Sequence, residues 1–225
     1  MKSSAFIIGV CLLGSLSAYG QSLQQWRDSL SVLNRQIETS PYSSDLHLRK
    51  AAVNLELGQW DYAVSECGLV LDKEPRNLAA LFYRAFANNN LRRYDLACND
   101  YETFLGIAPY NMEARLGLAY SYRKLGRKAA AMDEMNRLVE QFPDSASAYA
   151  ARADFEKEQK VYGAALYDWE QAIRLAPANV DFRISRVDVL LLMGKKKEAR
   201  VALDEMVGSG VPKGILRKWY DKCSK

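Results

Sequence analysis

Histidine is nearly absent from this chain: His47 is the only one in 225 residues. The four cysteines, Cys11, Cys67, Cys98 and Cys223, form no CxxC pair, and with one histidine to join them the sequence argues against a zinc site. No GxSxG segment occurs, and no glycine-rich loop of the kind that cradles phosphate. The nearest approach to a carboxylate pair is Asp154 and Glu158, four apart with Lys157 between them, a spacing that reads as a solvent-facing helix surface. The sequence therefore implies no catalytic residue, no metal and no cofactor. Charge of one sign is also scarce. The 31 basic residues outnumber the 27 acidic ones by a net +4, far from the clustered basic footprint of a nucleic-acid binder.

Long apolar runs are missing too. Ala5 to Leu16 is too short for a permanent span, which takes roughly twenty residues. Lys2 before it, and Ala18 and Gly20 after it, complete the pattern of a signal peptide over residues 1–20, with cleavage expected after Gly20. Retention as a membrane anchor is the alternative reading. Cleavage would remove Cys11 and leave three cysteines, read as small buried thiols of a helical core, with a disulfide as the alternative.

What the chain has is periodicity. Pro41, Pro75, Pro109, Pro143 and Pro177 are separated by 34 residues at every step, and Ala63, Ala97, Ala131, Ala165 and Ala199 keep the same period. A small residue recurs at Ala51, Ala85, Ala119, Ala153 and Val187, and a larger one at Cys67, Tyr101, Met135, Trp169 and Leu203. Within one unit Ala63, Cys67, Val70 and Leu71 share a helical face. Proline ends the second helix of each unit, because it lacks the amide proton and disfavours helix before it. Alanine lets two antiparallel helices cross closely. Gly58, Gly126 and Gly194 mark the turn inside a unit, where Arg92 and Lys160 stand in the other two.

A 34-residue helix-turn-helix unit with these slots resembles the tetratricopeptide repeat family. The resemblance implies an all-α fold, a right-handed solenoid of antiparallel helix pairs. Five units are expected, 44–77, 78–111, 112–145, 146–179 and 180–211, between an N-terminal capping helix within 21–43 and a C-terminal one within 212–225. Trp60, Tyr94 and Tyr162 fill the aromatic slot after the turn, but Lys128 and Lys196 replace it in units three and five.

In this family the first helix of each pair lines a concave groove. The slots so implied are Leu48, Leu55, Phe82, Phe86, Asn89, Asn90, Leu116, Tyr120, Arg123 and Lys124 in units one to three, and Asp154, Lys157 and Glu158 in unit four. Aromatics beside amides and a basic pair suit a polypeptide segment. A chaperone-adaptor carboxylate clamp is excluded, since its slots hold Leu48, Ala52, Tyr83, Glu113 and Gly117. The implied function is non-catalytic binding of a protein or peptide, as an adaptor in the periplasm or cell envelope; the alternative is a structural subunit of an envelope assembly. Trp26 and Trp219 on the caps discriminate, by covering the terminal pairs or standing exposed. Lys195, Lys196 and Lys197 form the one basic run, a solvated turn or a contact for an anionic membrane.

Overall fold

A computed structural model describes residues 23–224, which form twelve α-helices and, among the described residues, no strand. The expected leader, its cleavage point and Cys11 lie outside the described residues. The chain divides between Arg127 and Lys128 into two units. The first holds α1 (Leu23–Thr39), α2 (Ser44–Glu56), α3 (Trp60–Leu71), α4 (Leu78–Asn90), α5 (Tyr94–Ile107) and α6 (Met112–Lys124). The second holds α7 (Lys128–Gln141), α8 (Ala146–Glu158), α9 (Tyr162–Leu175), α10 (Val180–Leu192), α11 (Lys196–Gly208) and α12 (Lys213–Ser224).

The period of the sequence is the period of the helices. From α2 onward, first helices start at Ser44, Leu78, Met112, Ala146 and Val180, and second helices at Trp60, Tyr94, Lys128, Tyr162 and Lys196, both in steps of 34 residues. Each first helix starts at a side-chain cap: Ser43, Asn77, Asn111, Ser145 and Asn179 each accept from the backbone N–H three residues on. Such a cap satisfies a donor that the helix leaves unpaired and contributes about 1 kcal/mol. The turn between paired helices passes through positive φ at Gly58, Gly126 and Gly194, and also at Arg92 (60°) and Lys160 (63°), where a Cβ makes that backbone costly.

Inside each unit the small column makes the close approach possible. Ala63, Ala97, Ala131, Ala165 and Ala199 have no exposed surface. In the first unit α3 packs on α4 and α5 on α6. There Tyr83 is buried beside Cys67, and Tyr101 fills the next interface, over Gly117. A Cβ on Gly117 would stand 2.6 Å from Oη of Tyr101, so only glycine fits. In the second unit α12 closes the array by burying Leu216, Trp219 and Tyr220 against α10 and α11. Trp219 Nε1 donates to Asp188 at 2.9 Å and Tyr220 Oη to Asp204 at 2.6 Å. Cys67 and Cys98 are buried thiols, pushed up to about 12 and about 11 by burial.

A second pair of columns latches the two helices of a hairpin. Arg84 holds Asp100 through two bonds of 2.8 and 2.7 Å, and Arg152 holds Asp168 through two of 2.6 and 2.9 Å. Lys50 reaches Glu66 at 2.7 Å, and His47 Nδ1 lies 2.5 Å from the same carboxylate. All three latches join residues 16 apart. The other hairpins break the pattern: Leu118 takes the basic slot, and Ala202 takes the acidic one. Glu134 then pairs with Arg137 at 2.8 Å, and Arg186 turns to Glu170 at 3.3 Å.

Candidate peptide-binding face

The groove-lining residues implied for repeats one to three lie in the first unit, on α2, α4 and α6, where α4 touches both α2 and α6, and those implied for the fourth repeat lie on α8 in the second. The structure divides those of the first unit into three groups.

Leu55 and Phe82 are core residues, 6% and 2% exposed. Phe82 packs in ring contact with Tyr101 and Phe104, both centroids 5.9 Å away. They belong to the packing and not to a binding face, because α4 has neighbours on nearly every side and its apolar positions run most of the way round.

Asn89 is a tie between helices. Its Oδ1 accepts from Ser121 Oγ at 2.7 Å and its Nδ2 donates to the Gly117 carbonyl at 3.4 Å. The amide expected to meet a ligand's main chain is thus spent holding α4 to α6. Asn90 is exposed and donates to the Phe86 carbonyl at 2.8 Å.

Leu48, Phe86, Leu116, Tyr120, Arg123 and Lys124 are half-buried or exposed, with Leu48 and Phe86 resting on the core. Two residues of the aromatic slot position the rings: Trp60 meets Phe86 edge-on at 6.0 Å, and Tyr94 meets Tyr120 edge-on at 6.2 Å. Arg123 and Lys124 lie 5.1 and 5.2 Å from the Tyr120 ring centroid. Tyr120 is 36% exposed. The face therefore runs from apolar (Leu48, Phe86) to aromatic and cationic (Tyr120, Arg123, Lys124), an arrangement that buries apolar side chains at one end and attracts negative charge at the other.

In the second unit the corresponding α8 slots are charged. Asp154 pairs with Lys157 at 2.5 Å. Among the described residues no group of three His, Cys, Asp or Glu is placed to hold a metal, and no helix is long and apolar enough to cross a membrane.

A family model described as tetratricopeptide repeat matches residues 91–155, from the end of α4 through most of α8. The fold is that of a tetratricopeptide repeat solenoid. Solved structures of such proteins share the fold. MamA from Desulfovibrio magneticus RS-1 is 15% identical, with a TM-score of 0.65 over 69% of this chain and 88% of that one. A tetratricopeptide repeat protein from Parabacteroides merdae is 19% identical, with a TM-score of 0.63 over 90% and 79%. YrrB, described as a tetratricopeptide repeat protein with an unusual peptide-binding site, is 14% identical, with a TM-score of 0.61 over 80% and 92%. No curated protein matches the sequence.

Proposed function

We propose that the first unit binds a segment of polypeptide across α2, α4 and α6, and that the chain serves as a protein-binding adaptor of the cell envelope. The observation that carries this reading is the pair of aromatic rings, Phe86 and Tyr120, left partly open and braced from behind by Trp60 and Tyr94. Rings held in fixed positions lose little freedom when a ligand covers them, which favours them as anchors. The peptide-binding site named for YrrB is consistent with this use of the fold.

The alternative, a subunit built permanently into an envelope assembly, calls for an apolar surface at the ends of the array. Trp219 is 6% exposed and hydrogen-bonded to Asp188, so the C-terminal cap spends its largest ring on its own hairpins. That favours the adaptor. Trp26, half-buried on α1, is neutral between the two.

The test is site-specific capture in the native host. A photo-reactive phenylalanine analogue at Tyr120 should cross-link a partner that the same analogue at Tyr62, an exposed residue of α3, does not. Phe86→Ala with Lys124→Gln, folded by circular dichroism, should abolish the adduct. Equal capture from both positions, or an adduct indifferent to the double substitution, would refute the reading.

A further inference from the structure

The turn between α10 and α11 departs from every other turn of the array. Glu56, Asn90, Lys124 and Glu158, all polar and all exposed, close the first helices of the four preceding hairpins. The equivalent residue of the fifth is Leu192, 54% exposed, followed by Met193 at 36%. Leu192 thus projects at a position that is otherwise polar, beside Met193 in a column that holds Leu57, Leu91 and Leu125 in the first three hairpins, and Lys195, Lys196 and Lys197 follow after Gly194.

The fold adds further charge to this edge. Lys196 and Lys222 of α12 line one open cavity of about 460 Å³ together with Leu191 and Leu192, Lys157 and Asp188. Arg200 and Lys213 lie 5.5 and 5.3 Å from the centroid of the same Tyr220 ring. Acidic neighbours offset part of this: Lys195 lies 3.2 Å from Glu198, Lys222 lies 3.8 Å from Asp188, and Asp204 and Asp221 are close by. Among the described residues the side-chain ammonium groups of Lys196 and Lys197 make no hydrogen bond or ion pair, whereas Lys195 is paired with Glu198. Residues 195–222 hold eight Lys or Arg and four Asp or Glu, an excess equal to the net +4 of the whole chain. All of the protein's unbalanced charge is therefore concentrated at its C-terminal end.

We infer that this edge docks onto an anionic phospholipid surface, with Leu192 and Met193 entering the headgroup layer and the lysines contacting phosphate. Lysine suits mobile headgroups, because its ammonium is a point charge on a flexible stem and needs no fixed geometry in its partner. Each lysine near an anionic leaflet gains a small amount through attraction that salt screens, and the apolar pair adds a share that salt does not screen. The binding is accordingly shallow and reversible.

Co-sedimentation of the full chain with vesicles tests this. One set is pure phosphatidylcholine and the other carries about one third phosphatidylglycerol. The wild type should partition preferentially to the anionic set. Replacing Lys195, Lys196 and Lys197 together by Gln should lower that partition by about two orders of magnitude. Leu192→Ser with Met193→Ser should remove the binding that survives raised salt. The apolar run Ala5 to Leu16 is common to all variants and indifferent to headgroup charge, so the difference between variants is the measure. Partition unchanged by the lysine substitutions overturns the proposal. So does wild type that ignores anionic vesicles yet binds polyglutamate in a lysine-dependent way, since the edge would then serve an acidic polypeptide.

Discussion

The two units repeat one set of helix positions and line them with opposite chemistry. Where the first places Phe86 and Tyr120, the second places Asp154 and Asp188. Beneath that surface the latch is the same, Arg84 with Asp100 in one and Arg152 with Asp168 in the other, at nearly equal distances. A third column differs again. Asn54 and Asn88 are buried in the first unit, and the second has Glu156 in that register, 7% exposed with one carboxylate oxygen lacking a hydrogen-bond partner. The scaffold thus depends on a few columns that scarcely vary, while neighbouring positions are free to set surface and titration behaviour separately in each unit.

Removing the latch acid gives the largest expected effect and ranks the two units. Asp168→Ala leaves Arg152, with a side chain only 19% exposed, without its carboxylate and should destabilise by about 3–4 kcal/mol. Asp100→Ala should cost less, because Arg84 is 31% exposed and can reach water. Urea denaturation of both variants gives the order; a larger loss for Asp100→Ala would break the comparison.

Glu156 gives the next effect. Burial first, and then the nearby Asp168, raise its carboxyl from 4.5 to about 7 against the pull of Arg152. The unfolded chain releases that proton near pH 4.5 and the folded chain holds it until near pH 7. Stability should therefore fall as pH rises through that window and stay lowered above it. Glu156→Gln, which makes the position neutral like Asn88, should flatten that slope and stabilise by about 2 kcal/mol at pH 8. Melting at pH 5 and pH 8 shows it; an unchanged slope would locate the proton elsewhere.

The smallest effect is in the backbone. Lys160→Gly should stabilise by about 1 kcal/mol by relieving its φ of 63°, and Gly58→Ala should do the opposite in the equivalent turn of the first hairpin. Thermal melting with both changes of the same sign would contradict this account of the turn.

The helix pairs could be read from the sequence because proline and alanine act locally, one ending a helix and the other permitting a crossing. The latches could not. Arg84 and Asp100 belong to different helices, and 16 is no helical period, so each looks like an ordinary surface charge. The signal was present in the recurrence of Arg84 and Asp100 at Arg152 and Asp168, visible only when charged columns are compared at the repeat period. Phe82 and Leu55 were misplaced because a helix enclosed by neighbours has no single apolar face to choose. Asn89 was misjudged because its partner, Ser121, is 32 residues away.

The exchange of bulk between Tyr83 beside Cys67 and Tyr101 over Gly117 makes each joint a different lock. A second copy of the hairpin bearing Tyr101, inserted after itself, would drive that ring into Tyr83 rather than into an empty glycine. Although the repeats look interchangeable, their order along the chain is built into the joints, and a reshuffled array would not close.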